Sequence, residues 1–337
     1  MRLKDIALKT GVSIKTVSRV IHNQPEVSDE TRAKILKVVE EYSYLPNLVA
    51  RGLKEKKTYS IGYVICQINN PFFIEVVLTV ERIFKESGYG ILISFTGPSI
   101  EDEINSLKLL ISKRVDGLIL ASFGKTASFL KKMINDEKIP IVLIDNKVKG
   151  VKSDGVFLDN INGAHLLTKH LIEHGHKNIA FITGPTYESS SRERLQGYKK
   201  ALYEHDIKVN KDLIKISNWE ISGGFNSTIE LMKIFPKTPS AIFLANTLMA
   251  LGSLTALKKL NLKVPEDIGL VSFDNLDISG VIDPPLTTLN KAADKVGQLA
   301  AELLNNKLQS HNAEYKNIRE LIIKQELCIR KSCGCNK

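Results

Sequence analysis

The chain has 337 residues, of which 43% are hydrophobic and 25% charged, and its net charge is +10. This composition is typical of one large or two to three ordinary folded domains, and it excludes collagen, a coiled coil and a disordered chain. No stretch approaches the roughly 18 apolar residues of a membrane span. The first twenty residues carry five basic side chains and lack the apolar run of a secretory signal. We therefore expect a cytoplasmic protein that does not bind to a membrane.

The cysteines agree with that location. The chain contains Cys66, Cys328, Cys333 and Cys335. Four cysteines so unevenly placed in a chain of this length do not form a disulfide framework. We expect reduced thiols.

The positive charge is concentrated at the amino end. Residues 1–57 hold twelve basic and seven acidic side chains, an excess of five out of the total of ten. A sixth of the chain therefore supplies half of the excess charge. Solvated helix faces can explain such an excess, but so can an acidic partner such as DNA, and the pattern of residues must decide.

The amino-terminal segment predicts three short helices. A first amphipathic helix ends at a turn that contains Gly11. Ser13 is a good N-cap for a second helix from Ile14 to about Asn23. Ser28 caps a third helix, which has Asp29 in its positively polarised first turn. Three helices of this size can enclose one small core.

The second helix has one apolar face and one face of hydrogen-bond donors. Val17, Val20 and Ile21 are spaced to be buried. The opposite face carries Lys15, Ser18, Arg19 and His22. In a helix-turn-helix domain the second helix enters the major groove of DNA, where Arg19 can bind guanine and Lys15 can bind guanine or a phosphate. The alternative is that any three-helix bundle has a polar outer face.

A conditional helix follows. Pro46 ends the third helix, and Asn47 can cap a very short helix that extends to about Lys54. So few residues do not form a stable helix alone, so this segment needs a surface to fold against. Its position places Arg51 along a DNA backbone and Leu53 where an apolar side chain can wedge between base steps in the minor groove.

From Tyr59 onward, short apolar runs alternate with amphipathic helices. Such continuous apolar strands, each followed by a helix, predict parallel sheets covered on both faces, and the rhythm occurs twice, which predicts two subdomains. The predicted strands are 60–66, 91–95, 117–121, 140–144, 178–183, 213–217, 241–245 and 268–273. The predicted helices begin near Phe72, Asp102, Ala127, Ser191, Gly223, Thr247 and Lys291.

Polar and aromatic residues follow the predicted strands. Ligands of open α/β sheets bind at the carboxyl ends of the strands, which for two facing subdomains is the cleft between them. Carboxylates, amides and a guanidinium can bind neighbouring hydroxyl groups, and an aromatic face packs on a sugar ring. Trp219 can instead be a packing residue, and Asp145 and Asp274 can be caps. The strand-end set is Asn69, Asn70, Phe72, Phe73, Asp145, residues 187–194, Trp219, Asn246, Asp274 and Asn275.

Other motifs are weaker. His170 and His174 are one helical turn apart, as metal ligands can be, but histidines near the end of a helix that stops at Gly175 explain them more simply. Cys333 and Cys335 could chelate or oxidise, although a chain terminus is expected to fray. The sequence has no nucleophile elbow or nucleotide-binding glycine loop. We expect no bound metal or cofactor and no enzymatic activity.

Several ordered blocks resemble the LacI/GalR family of transcription regulators over essentially the whole chain. These blocks are Asp5 to Ala7, Gly11 to Ser13, Thr16 to Val20, Tyr44 with Pro46 and Asn47, Ala50 to Leu53, Asn70 to Phe73, Val115 to Gly117, Gly175 with His176, Met249 to Gly252, and Pro285 to Thr288.

The resemblance implies roles for individual residues. It implies that Ile14, Lys15 and Arg19 read the operator and that Leu53 is the wedge of a hinge helix. With the helix pattern, the implied DNA-binding set is Ser13, Ile14, Lys15, Thr16, Ser18, Arg19, His22, Asn47, Ala50, Arg51 and Leu53. By position, the implied effector-binding set is Phe72, Phe73, Asp145, Ser190, Arg194, Trp219, Asn246 and Asp274.

The resemblance also implies the domain organisation. It predicts a helix-turn-helix DNA-binding domain at 1–57, with a hinge helix at 47–54, and an effector-binding and dimerisation domain at 58–337. That core resembles periplasmic sugar-binding proteins, with two doubly wound parallel-sheet subdomains. We assign about 58–159 and 290–317 to the first subdomain, and about 160–286 and 318–330 to the second.

The chain departs from the family pattern in three ways. Thr247 follows Asn246 where the family usually has Asp, which removes a carboxylate from the edge of the cleft. Asn275 stands where a second Asp is frequent. The chain also lacks the leucine heptad tail that makes the lactose repressor tetrameric, so we expect a homodimer.

We interpret the sequence as that of a DNA-binding transcription regulator, a repressor whose binding to a palindromic operator changes when a small sugar or related metabolite occupies the cleft. The alternative is a cytoplasmic sugar-binding or sugar-modifying protein whose amino-terminal bundle is only a docking module. Salt dependence distinguishes the two, because binding to many phosphates weakens steeply with salt.

Overall fold

The computed structural model describes residues 2–21, 24–44, 52, 57–97, 99–234, 239–275, 277–290, 292–309 and 317–335. The chain divides into two compact units, residues Met1–Thr58 and Tyr59–Lys337. In the described part of the chain, no helix is both long and apolar enough to cross a membrane.

The first unit contains the three expected helices, α1 Leu3–Thr10, α2 Ile14–Ile21 and α3 Asp29–Glu41. Gly11 ends α1 in the left-handed conformation, with φ of 68°, which glycine adopts without a steric penalty. The core is made of Ile6, Val17 and Ile35, each 0% exposed. These side chains come from all three helices, so each helix needs the other two.

The second unit has an alternating order of strands and helices. In chain order it contains β1 Ser60–Ile65, α4 Pro71–Glu86, β2 Gly90–Phe95, α5 Ile100–Ser112, β3 Gly117–Leu120, α6 Ala127–Lys132 continuing into a π-helical turn Met133–Glu137, β4 Ile141–Ile144, β5 Asp154–Leu158, α7 Asn160–Glu173, β6 Ile179–Thr183, α8 Ser189–Glu204, a 3-10 turn Lys211–Leu213, β7 Ile214–Ile216, α9 Ile221–Met232, β8 Ala241–Leu244, α10 Thr247–Lys259, β9 Gly269–Ser272, a 3-10 turn Asp277–Gly280, β10 Thr288–Leu289, α11 Ala293–Gln309, β11 Glu320–Ile323 and β12 Leu327–Cys328.

Two parallel sheets form two lobes. The sheet of the first lobe has the strand order β11-β5-β4-β3-β1-β2, and that of the second lobe has the order β7-β6-β8-β9. All the described pairs within these two sheets are parallel. Central strands such as β3 and β6 are buried along their whole length, because helices cover both faces. This confirms the predicted fold class.

The chain passes between the lobes more than once. It leaves the first lobe after β5, and it returns from the second lobe to α11, which packs against α4. Strand β11 then completes the first sheet by pairing with β5, and β12 pairs with β10. The assignment of 318–330 to the second subdomain is therefore wrong for β11, because its three apolar residues, Leu321 to Ile323, do not indicate which strand they pair with.

The expectation of a frayed carboxyl terminus is also wrong as far as Cys335. Ser332 accepts a backbone hydrogen bond from Leu270 of β9, with N···O of 2.7 Å, and its hydroxyl donates to the Leu270 carbonyl at 2.6 Å. Cys333 is 0% exposed. The structure joins Cys333 and Cys335 in a disulfide, whereas the composition predicted reduced thiols.

A buried carboxylate organises the loop after β3. Glu103 of α5 is 0% exposed, and one of its oxygens accepts the backbone N–H of Phe123 at 2.8 Å. The other oxygen accepts the hydroxyl of Ser122 at 2.7 Å and that of Thr126. This loop lies at the carboxyl edge of the first sheet.

Replacing Glu103 should destabilise the second unit. Glu103→Ala leaves buried donors without an acceptor, so we expect the free energy of unfolding in urea to fall by about 2 to 4 kcal/mol. Glu101→Ala, which removes an exposed carboxylate from the same helix, should change it by less than about 0.5 kcal/mol. Equal losses in the two variants would contradict the role of Glu103.

Candidate functional site

The amino-terminal unit presents a polar face on α2. Val17 and Val20 are buried, whereas Ser13, Ile14 and Lys15 are exposed and Thr16, Ser18 and Arg19 are partly exposed. The Ser13 side chain accepts the backbone N–H of Thr16 at 3.1 Å, as expected of an N-cap. Six of the predicted DNA-binding residues thus lie at the start of α2 or along its outer side.

Ile14 and Arg19 have environments that the sequence did not reveal. Ile14 leaves 48% of its surface exposed although it is apolar, which is unfavourable unless the side chain finds a partner. Arg19 forms an ion pair with Glu26 at 2.9 Å. Because both side chains are partly exposed, this pair is weak, and the guanidinium can exchange it for another acceptor.

The remaining predicted DNA contacts lie outside the described residues. These are His22, Asn47, Ala50, Arg51 and Leu53. Of the predicted hinge helix, only Gly52 lies within the described part of the chain. The minor-groove wedge therefore stays a prediction.

In the second unit, one cavity lies between the lobes. All eight predicted effector-binding residues line it: Phe72, Phe73, Asp145, Ser190, Arg194, Trp219, Asn246 and Asp274. The other lining residues are Cys66, Gln67, Asn70, Leu158 and Glu188. The structure thus brings together residues that are more than 200 positions apart, because the carboxyl ends of both sheets face the same space.

Several lining residues follow the end of a strand, and Phe72, Phe73, Ser190 and Arg194 lie in the first turns of α4 and α8. Asn246 follows β8, and its side chain accepts the Met249 N–H at 2.8 Å and donates to the Trp219 carbonyl at 2.9 Å. Asp145 follows β4 and Trp219 follows β7, and both have positive φ, 63° and 67°. Non-glycine residues adopt this conformation at an energetic cost, which the surrounding contacts must offset.

The Arg194 guanidinium lies at the centre of the cleft. Arg194 is 4% exposed and donates to the Asn160 side chain at 2.9 Å and to the Ala245 carbonyl. It lies 3.9 Å from the Asp274 carboxylate and 3.7 Å from the centre of the Phe273 ring. A buried cation needs such partners, because an unpaired one would be strongly unfavourable.

Three carboxyl groups surround this one cation. Burial raises the pKa of Asp145 to about 6, although Arg194 opposes the shift. Burial also raises the pKa of Asp274, again against the effect of Arg194. Glu188, which is 4% exposed, has its pKa raised to about 8 by burial and by the nearby charge of Asp145. At neutral pH, Glu188 is therefore mainly protonated and can donate as well as accept a hydrogen bond.

Glu188 is the main lining residue that the predicted binding set lacked. Its carboxyl accepts the indole N–H of Trp219 at 3.0 Å. It lay in the strand-end segment 187–194, but nothing in the sequence indicated that it points into the cleft. Glu188 supplies a carboxyl to a cleft in which Thr247 replaces the family's usual Asp. Thr247 itself is buried and donates to the Asp274 carbonyl at 2.7 Å.

Asn146 connects the lobes. It follows β4 in the first lobe, and its side-chain oxygen accepts the backbone N–H of Ser190, at the start of α8 in the second lobe, at 3.0 Å. Its amide nitrogen donates to Asp145 at 2.9 Å. Asn146 could not be recognised as a connecting residue from the sequence, because an asparagine next to an aspartate is common in turns.

Two family models match the chain. Residues 2–47 match the bacterial regulatory proteins of the lacI family. Residues 58–331 match the periplasmic binding proteins and sugar-binding domain of the LacI family.

Curated relatives cover nearly the whole chain. It is 34% identical over 330 residues to the HTH-type transcriptional repressor PurR of Histophilus somni strain 129Pt, covering 98% of each protein. It is 33% identical to the PurR repressor of Pasteurella multocida, again covering 98% of each.

Solved structures show the same architecture. The chain is similar to a lac repressor dimer bound to operator and the anti-inducer ONPF, with a TM-score of 0.86, 27% identity and 99% of each chain covered. It is also similar to a transcriptional regulator CelR in complex with cellobiose, with a TM-score of 0.74, 29% identity and coverage of 98% of this chain and 99% of that one.

The raised carboxyl pKa values predict a pH-dependent stability. A folded-state pKa above the unfolded value stabilises the protein at low pH, and this stabilisation is lost as the pH rises through the folded value. For Glu188 the window runs from about 4.5 to about 8. We expect the unliganded protein to lose on the order of 1 to 4 kcal/mol of unfolding free energy across it, measured in urea.

Glu188→Gln should flatten this dependence, because the amide keeps an acceptor for Trp219 but carries no charge. The exposed Glu220 is a suitable control, and Glu220→Gln should keep the wild-type pH profile. A profile in Glu188→Gln as steep as that of the wild type would show that another group is responsible.

Proposed function

The chain belongs to the LacI family of bacterial regulatory proteins, as its sequence predicted, and from this premise we propose a function for its two units. It is a DNA-binding transcription repressor controlled by a small-molecule effector. We propose that it acts in the cytoplasm as a homodimer on a palindromic operator, without enzymatic activity, and that its effector is a small sugar.

One observation carries the effector proposal: the residues at the strand ends of both lobes line a single cavity. Three carboxyl groups, one guanidinium and three amides line this cavity and can form paired hydrogen bonds with neighbouring hydroxyl groups. Phe72 and Phe73 of the first lobe and Trp219 of the second lobe also line the cavity and can supply aromatic faces for the apolar side of a ring. This mixture fits a polyhydroxylated ring better than a purely apolar ligand. A structural relative binds cellobiose.

The DNA proposal depends on the exposed side of α2. Lys15, Ser18 and Arg19 supply hydrogen-bond donors there, and Ile14 supplies an apolar contact for a thymine methyl group. A structural relative is a dimer bound to its operator. Two copies of α2 would read the two halves of a palindromic site.

Effector binding and DNA binding are coupled through lobe closure. Asn146 and Ser190 contact each other across the cleft, so a ligand that changes the lobe spacing changes these contacts. We propose that this movement alters the spacing of the two hinge segments and thereby favours or disfavours the operator-bound state. Such coupling typically amounts to about 1 to 3 kcal/mol, or about 5- to 150-fold in operator affinity.

The competing function is that of a sugar-binding or sugar-modifying protein with an amino-terminal docking bundle. DNA binding through several phosphates must weaken linearly on a plot of log affinity against log salt, whereas neutral-sugar binding should scarcely respond to salt. Selection of random duplexes on the purified protein, with and without a sugar panel, tests this directly. A palindromic consensus among the bound duplexes supports the repressor. A pool with no enriched sequence, both with and without the sugars, supports the sugar-binding or sugar-modifying protein.

Arg19→Ala should weaken operator binding by about 1 to 3 kcal/mol and relax the base preference at one position of each half-site, because a bidentate guanine contact is lost. The measurement is a binding titration against the selected operator and its single-base variants.

Lys37→Ala is the matched control, because it removes the same charge from an exposed position on α3. It should leave the base preference intact. If Arg19→Ala kept the wild-type ranking of operator variants, Arg19 would not read a base.

Trp219→Ala should abolish the change in operator affinity on addition of sugar, because the sugar ring loses the aromatic face on which it packs. Trp219→Phe should retain part of the response, since it keeps one aromatic ring but loses the rest of the indole and the N–H that donates to Glu188. Operator affinity without sugar, measured in parallel, reports whether each variant is folded.

Tyr203→Ala is the control for losing an aromatic side chain, because Tyr203 is 82% exposed on α8. A full sugar response in Trp219→Ala would move the effector site out of this cavity.

A further inference from the structure

The carboxyl-terminal segment of the second lobe brings two sulfur atoms to a buried imidazole. His170, in the last turn of α7, is 3% exposed, and Cys333 is fully buried. His170 Nε2 lies 2.8 Å from Cys335 Sγ. The imidazole nitrogen and the two sulfur atoms all lie within 4.8 Å of one another. Sequence patterns do not indicate this contact, because His170 is more than 160 positions from either cysteine.

This arrangement is held by the fold. Ser332 is bonded to both backbone groups of Leu270, and its hydroxyl oxygen also accepts the Thr287 N–H at 2.8 Å. Gly334, between the two cysteines, has φ of 74°, which turns the chain so that both sulfur atoms lie on the same side. Preorganised donors of this kind bind a metal without the cost of ordering a flexible tail.

The donor set has a clear chemical preference. Two thiolates and one imidazole are ligands for Zn²⁺ and similar thiophilic ions, with bonds of about 2.3 Å to sulfur and 2.0 Å to nitrogen. Donor atoms around a tetrahedral zinc ion are then roughly 3.3 to 3.8 Å apart, a spacing within the reach of these three atoms.

The disulfide form gains little stability from its bond. A bond between Cys333 and Cys335 closes a loop of three residues, and so short a loop restricts the unfolded chain very little. In the cytoplasm, which the proposed function implies, thiols are kept reduced. Thr287 Oγ1 lies 3.2 Å from Cys333 Sγ, so its hydroxyl is placed to donate to a thiolate.

We propose that His170, Cys333 and Cys335 of the reduced protein bind one Zn²⁺ ion through Nε2 and the two Sγ atoms, with a water molecule as fourth ligand. The site fastens the carboxyl-terminal segment to α7 of the effector-binding lobe. It is distinct from the cleft, since none of its ligands lines the cavity between the lobes.

Conversion of the disulfide form into the zinc-bound form requires a reductant that supplies two electrons. A dithiol reductant gives two electrons and two protons to the Cys333–Cys335 bond, which becomes two thiols, and the reductant becomes a cyclic disulfide. Each thiol then releases its proton to solvent as its sulfur binds Zn²⁺, and His170 binds as a neutral imidazole. A small-molecule disulfide reverses the process: it takes up the two electrons, and two protons from solvent, becomes two thiols, and leaves the Cys333–Cys335 bond and the released ion.

The test uses the full chain. The protein is reduced with dithiothreitol, freed of it by anaerobic gel filtration, mixed with zinc chloride and freed of excess metal. We expect about one zinc ion per protomer by atomic absorption. Protein with the disulfide intact should retain none. Cys335→Ser and His170→Gln should lower the affinity, measured by chelator competition, by at least about tenfold. Cys328→Ser, which changes a cysteine outside the site, should bind as the wild type does.

A second measurement needs no variant. Zinc should slow alkylation of the partly exposed Cys335 in the reduced wild type, read by mass spectrometry, and leave alkylation of Cys328 unchanged. Absence of bound zinc in the reduced protein, wild-type affinity in Cys335→Ser, or unchanged alkylation of Cys335 would overturn the proposal. None of these readouts involves DNA or sugar, so the zinc site and the repressor function can fail separately.

Discussion

The geometry of the cleft in the second unit depends on the contacts of one buried group, the guanidinium of Arg194. It contacts the start of α7 through Asn160, the end of β8 through the Ala245 carbonyl and the loop after β9 through Asp274. These three contacts connect Arg194 to three elements that meet at the cleft. A charge placed so deeply is tolerated only when each partner is in position. Arg194 therefore fixes the geometry of the strand ends before any ligand arrives.

The same cation sets the electrostatics of the cleft. One guanidinium faces three carboxyl groups, so the cleft cannot hold all of them ionised at little cost, and Glu188 retains its proton to about pH 8. A ligand with hydroxyl groups meets both acceptors and a neutral acid that can donate. Asn146 connects this set to the first lobe through Ser190, so a change at the carboxyl groups reaches the contact between the lobes.

Much of the fold and the cleft could be predicted from the sequence, because both rest on local patterns. Apolar runs gave all eight predicted strands to within two residues, and residues after strand ends fall at one edge by the rule for parallel sheets. Strand β5 was missed because no helix separates it from β4. Periodicity does not encode side-chain direction, so it could not predict that Glu188 points into the cleft. Nor does it encode contacts between distant positions or across a turn, such as the contact of His170 with Cys335 and the ion pair of Arg19 with Glu26.

The return of the chain to the first lobe has a consequence for biosynthesis. When the ribosome has made residues 59–158, the first sheet still lacks its edge strand β11 and the covering helix α11, both of which follow the entire second sheet. Domains that are continuous in sequence can fold as they emerge, and α1 to α3 can do so here. The first lobe must instead keep apolar strand surface uncovered until α11 and β11 have been made, so the nascent protein needs protection from aggregation during this interval.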